Sequence, residues 1–159
     1  MTPASRVAAA VVIALLAVAP AAAQSLGVAL DGKVKAPRQF ALDDLKKLPV
    51  EQADVSFQTD RGPVTAHFTG VLLWSLLDAA GGIDDTGKGM ELRHAIRVTA
   101  TDGYVVVTST GEIAPDFGGK AALIAYERDG KPLGEFRLVM PGDKHGGRNV
   151  RDVARITIE

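Results

Sequence analysis

Apolar and polar positions along this chain repeat mostly with a period of two. Leu26, Val28 and Leu30 alternate with small or polar residues up to Asp31-Gly32, the pattern of a half-buried strand ending in a turn. Phe40 and Leu42 suggest a second short strand. Asp43 to Leu48 reads as one or two helical turns, opened by an aspartate cap and stopped by Pro49. Val55 and Phe57, then Val64, Ala66 and Phe68, alternate on either side of Arg61-Gly62-Pro63, which predicts a hairpin. The period changes after Thr69-Gly70. Leu72, Leu73, Leu76 and Leu77 recur at helical spacing, predicting a helix over 71–80 closed by Gly81-Gly82.

The second half returns to strands. Residues 84–91 form a polar loop. β-Branched runs at 95–100 and 104–108 flank Asp102-Gly103, a favourable hairpin turn. Residues 111–120 read as irregular. An apolar run at 121–126 turns at Asp129-Gly130, and strands at 138–140 and 153–158 complete the pattern. One clear helix among many strands, without regular alternation, predicts a sheet-rich α+β domain and not a doubly wound parallel sheet.

The first two dozen residues belong to a different class. Arg6, an apolar run from Val7 to Val18 and the small residues Ala21-Ala22-Ala23 have the order of a secretory signal. The expected division is a signal peptide over 1–23 and one domain over 24–159. That domain of about 136 residues is long enough to bury a core of its own. It contains no cysteine, which excludes disulfides, thiol catalysis, iron–sulfur clusters and cysteine zinc sites. A formal charge of −1 gives no basic face for nucleic acid. Nothing after the signal is apolar enough to span a membrane. The three histidines, His67, His94 and His145, share no metal-ligand spacing, so no metal site is expected. No nucleophile elbow, phosphate loop, zinc-protease motif or calcium loop is present.

The densest chemistry lies near the end. Arg137 enters an apolar strand, Pro141-Gly142 turns it, and Asp143-Lys144-His145-Gly146-Gly147-Arg148 follows. Paired glycines free backbone N–H groups, and Lys144, His145 and Arg148 add positive charge, a combination suited to an anionic or electron-rich ligand.

Four segments in order resemble the molybdopterin-binding domain of the sulfite oxidase family. They are Phe68-Thr69-Gly70-Val71-Leu72-Leu73, Thr101-Asp102-Gly103-Tyr104, the run from Leu123 to Leu133, and Arg137-Leu138-Val139-Met140-Pro141-Gly142 through the Gly-Gly-Arg loop to Ile156. The resemblance implies the sulfite oxidase fold and a pterin or molybdopterin ligand. In the redox members a cysteine binds molybdenum from the segment before the glycine entry. Here that segment is Ser56-Phe57-Gln58-Thr59, without a thiol, and a hydroxyl is a poor substitute for a soft thiolate. The small cysteine-free exported versions resemble a group that binds a reduced, metal-free pterin in the periplasm. That group signals to a membrane protein that makes or degrades cyclic di-GMP. The alternative is a molybdopterin-dependent oxidoreductase with an unconventional or lost metal ligand.

A pterin needs a stacking plane, an acceptor for its edge and donors for its tail. The candidates are Tyr104 and Trp74 for stacking, Asp102 for the edge, and Arg137, His145 and Arg148 for the polar tail, with Asp143 beside them in the glycine loop. Lys144, Glu112, Asp116 and Phe117 are weaker candidates beside them.

Overall fold

The computed structural model describes residues 26–159. The expected signal peptide lies outside them. The strands are β1 (Gly27–Gly32), β2 (Arg38–Ala41), β3 (Val50–Thr59), β4 (Gly62–Leu72), β5 (Ala95–Ala100), β6 (Val105–Ser109), β7 (Leu123–Arg128), β8 (Lys131–Val139) and β9 (Val153–Ile158). Three short helices join them: α1 (Leu42–Leu45), α2 (Leu73–Ala79) and α3 (Thr110–Ile113).

The strands form two sheets. One has the order β2-β1-β9-β5-β6 and the other β3-β4-β7-β8. All pairings are antiparallel except β1 with β9, which brings the two ends of the described chain side by side. The main core gathers Val28, Leu30, Ile96, Val98, Ile156 and Ile158 from the first sheet. Leu73, Leu76 and Leu77 of α2 pack on it, with Ile124, Phe136 and Leu138 of the second sheet.

The four-stranded sheet buries its other face as well. Val55, Phe57, Ala66, Phe68, Leu123, Ala125 and Val139 make a smaller cluster there. Strand alternation explains the division. With Phe136 and Leu138 in the main core, Glu135, Arg137 and Val139 must face the smaller cluster. β7 is buried at four successive positions, Leu123 to Tyr126, because it serves both.

Several boundaries differ from the sequence reading. The hairpin is longer, with β3 and β4 paired from Val50↔Val71 to Thr59↔Gly62. The helix expected over 71–80 begins at Leu73, because Gly70, Val71 and Leu72 remain in β4, paired with Ala125, Ile124 and Leu123. An apolar run that serves both a strand and a helix does not reveal the junction. No aspartate caps α1: its N-cap is Ala41, and Asp44 in the first turn reaches back to accept the Ala41 backbone N–H at 3.1 Å. β8 starts at Lys131, well before its apolar end. It is an edge strand, where Pro132 is tolerated. The segment expected to be irregular opens with α3, capped where the Ser109 hydroxyl accepts from Glu112 N at 3.2 Å.

Gly70 marks the tightest contact in the second sheet. Register shifts beside it, and a Cβ there would lie 2.3 Å from the Ile124 carbonyl oxygen and 2.6 Å from Ala125 Cα. Both obstacles are backbone and cannot swing away. We expect Gly70→Ala to destabilise the domain by about 3 kcal/mol through forced separation of β4 and β7. Urea denaturation of the two proteins measures it.

Candidate functional site

Twelve residues connect β8 to β9 after Met140, and they lie across the smaller cluster at the tip of the β3–β4 hairpin. Several backbone bonds fix this crossing. Gln58 N donates to Lys144 O at 2.9 Å, Leu138 N to Val150 O at 2.8 Å and Asn149 N to Gly146 O at 2.9 Å. Gly146 sits directly on the Phe57 ring, where a Cβ would meet two ring carbons at 2.9 Å. The glycine is therefore needed for close packing.

Three open clefts meet at Gly146. The first, about 350 Å³, has Phe57 and Val64 as its apolar floor. Its walls carry four arginines, Arg61, Arg128, Arg137 and Arg151, against one acid, Asp60. The second, about 220 Å³, lies between Tyr104, Asp102 and the Gly146-Gly147 pair. The third, about 510 Å³, is lined by His145, Thr59 and Asp60.

Burial in the first cleft leaves two donors unmet. Arg137 has a side chain only 11% exposed, and one of its terminal nitrogens donates to Glu135 at 2.9 Å. Its Nε is buried with no acceptor. The guanidinium lies 5.6 Å from the centre of the Phe68 ring, and that of Arg128 lies 5.9 Å from the same ring. Burial pulls Arg137 below the ordinary arginine value, Glu135 opposes this, and Arg151 and Arg128 add like-charge repulsion. Asn149 is the second case. Its Oδ1 accepts from Met140 N at 3.1 Å, which orients the amide, and its Nδ2 is buried without a partner. A buried unpaired donor costs roughly 1–3 kcal/mol.

The sequence candidates divide on this geometry. Arg137 lies in the cationic cleft. Asp102 and Tyr104 line the second cleft, with Tyr104 half-exposed. The Asp102 carboxylate accepts the Tyr104 N–H at 2.9 Å and so shapes its own turn, and the Tyr104 hydroxyl donates to Gly147 O at 2.8 Å. That bond joins the β5–β6 turn to the glycine loop. His145 lines the third cleft and is exposed. Lys144 is exposed beside it.

Arg148 and Asp143 differ from expectation. The guanidinium donates to both Glu112 oxygens at 3.0 and 3.1 Å and to both Asp143 oxygens at 2.8 and 2.6 Å. Lys120 binds the same two carboxylates at 3.1 and 3.0 Å. Thr108 adds a hydrogen bond to Glu112. These side chains form a clasp between the glycine loop and the α3 segment, and the two cations are committed to it. Trp74 is not brought to the glycine loop. It packs at the edge of the main core and lines a separate cleft of about 130 Å³ with Ile113 and Pro115. Asp116 and half-exposed Phe117 line none of these clefts.

Sequence reasoning missed Arg61, Arg128, Arg151 and Asn149. They come from a hairpin tip, a strand end and the lead into β9, and no local motif joins them. Only the crossing of the glycine loop over the hairpin brings them together.

The metal ligand position can be tested on the same geometry. Thr59 Oγ1 donates to Gly62 O at 2.8 Å and accepts from Arg61 N at 3.2 Å, closing the hairpin turn. Ser56 Oγ accepts from Thr65 Oγ1 at 3.2 Å. Neither oxygen is a free ligand, and among the described residues no three His, Asp or Glu side chains converge on a metal position. The organic part of a pterin cofactor suits the clefts, with an apolar floor, guanidinium planes and unpaired donors. At the metal-ligand position the chain offers hydrogen-bonded hydroxyls, hard oxygens in place of the soft thiolate that molybdenum prefers.

The chain is a two-sheet domain with a basic cleft at a glycine loop, an arrangement that suits a pterin cofactor. The profile of the oxidoreductase molybdopterin binding domain matches residues 16–159, and the chain belongs to that family. Its fold is similar to that of the sulfane dehydrogenase SoxCD from Paracoccus pantotrophus, with a TM-score of 0.67 at 20% identity. The match covers 84% of this chain and 38% of that one, and at this identity it shows the fold alone. No curated protein sequence matches the chain.

The clasp generates a stability prediction. Arg148 holds Asp143 below the usual carboxylate range, helped by Lys120. Burial raises Glu112, but Thr108, Lys120 and Arg148 outweigh it and the net shift is downward. Both folded-state values are depressed, so this stabilisation is present at neutral pH and is lost as pH falls below about 4. We expect Arg148→Ala to lower stability by about 1–2 kcal/mol at pH 7, since the network is partly exposed. The difference should shrink toward pH 3, as followed by urea denaturation across pH.

Proposed function

We propose that this chain is a periplasmic pterin-binding protein that takes a reduced pterin without molybdenum. The observation that carries this is the cationic cleft. Two buried donors lack partners there, while the hydroxyls nearest the family's metal position are already bonded. The acidic tail of a pterin would meet Arg137, Asn149 and Arg151, and its ring would lie across Gly146 toward Tyr104 and Asp102. Stacking on half-exposed Tyr104 requires no change in its bond to Gly147.

The position of the same loop supports a relay to a membrane protein. Tyr104 immediately precedes β6, an edge strand with Val105 and Val107 exposed, so a ligand against Gly147 lies at the base of a free sheet edge. In this reading the partner is the outward-facing domain of a membrane protein of cyclic di-GMP metabolism, and the chain itself carries out no redox step. No helix among the described residues is long and apolar enough to cross a membrane.

Titration calorimetry with a reduced tetrahydropterin bearing a phosphorylated side chain tests the binding reading, alongside metal analysis of the protein purified from the periplasm. We expect saturable binding by metal-free protein. Arg151→Ala, an exposed change, should cost about 1–3 kcal/mol of affinity without altering the melting curve. Molybdenum near one atom per chain, retained through purification, would reject the metal-free reading.

A further inference from the structure

The cationic cleft holds more positive charge than one anionic group requires. The chain as a whole carries a formal charge of −1, yet four guanidinium groups converge on a cleft of about 350 Å³ that contains a single carboxylate. Concentrating like charge is unfavourable unless something offsets it. Internal partners offset only part. Arg137 has Glu135, and Arg128 has Asp129 at 3.2 Å. Arg61 and Arg151 make no side-chain ion pair among the described residues.

The donors also fall at two depths. Arg137 Nε and Asn149 Nδ2 are fully buried and unpaired. Arg128 is 38% exposed at its side chain, and Arg61 and Arg151 are exposed at the mouth. A single compact anion satisfies one depth and leaves the other. A planar guanidinium binds phosphate oxygens two at a time, so three rim arginines offer more donors than the outer oxygens of one buried group can use.

We propose that the cleft seats two adjacent phosphate groups of one ligand. The inner group lies against the Arg137 and Asn149 side chains, and the outer group meets Arg61, Arg128 and Arg151. The ligand class is a diphosphate ester. This inference rests on the cleft being the ligand site, and it narrows the pterin reading to a form extended through a diphosphate.

Inorganic phosphate and inorganic pyrophosphate, titrated calorimetrically into the purified protein at equal ionic strength, separate the possibilities. We expect pyrophosphate to bind at least about tenfold more tightly than phosphate. Arg61→Gln with Arg128→Gln should remove that preference and leave phosphate binding in place. Arg61 is exposed and the Arg128 side chain is 38% exposed, so circular dichroism melts should stay close to those of the parent protein. Arg97→Gln with Arg155→Gln, on the far sheet, should leave the preference intact. Equal affinity for the two anions overturns the two-seat arrangement while the pterin titration still stands on its own result. Binding of neither anion overturns both phosphate seats. A preference that persists without Arg61 and Arg128, or that falls with the far-sheet pair, assigns it to general charge and also overturns the proposal.

Discussion

The second sheet is covered on both faces, and this constraint organises the whole molecule. One face of β3-β4-β7-β8 meets the main core and the other meets a smaller cluster under the glycine loop. β7 can serve both only by being apolar at successive positions, and β4 can approach it only through Gly70. The same double coverage gives Arg137 its surroundings. It alternates with Phe136 and Leu138, so it must point into a partly apolar layer, where a charged group depends on whatever polar partners lie nearby.

Much of this fold was legible in the sequence. Alternation at Val55–Phe57 and Val64–Phe68 identified strands correctly, because each of those strands has one face buried and the other more open, and the β-branched run at 95–100 identified a third. Asp102-Gly103 and Asp129-Gly130 marked real turns, with Gly103 and Gly130 at φ of 86° and 74°. The start of α2 was not legible. Val71 and Leu72 fit a helical stripe as well as a strand. Pairing with a strand fifty residues away decided the matter, and local pattern does not encode that partner.

The site was legible only at its centre. The glycine loop was visible because Gly146-Gly147 and their basic neighbours are contiguous. Arg148 looked like the natural ligand contact, yet its charge is spent on Glu112 and Asp143, one of them thirty-six residues away in sequence. Sequence shows how many charges a loop carries, but not which are already neutralised. Arg137 does line the cationic cleft. Its companions Arg61, Arg128 and Arg151 join it only through topology. Similarly, Thr59 looked like a spare oxygen until the hairpin turn showed both its bonds in use.

The Gln58–Lys144 backbone bond has a mechanical meaning. It ties the hairpin of one sheet to the segment that leads into β9 of the other. A ligand held between Arg137 and Asn149 would join the same two layers and act as a removable cross-link. Occupancy would then add to the free energy of unfolding in proportion to the logarithm of free ligand. Survival of the folded chain among proteases would rise and fall with ligand supply, so the abundance of the protein would itself register how much ligand is present.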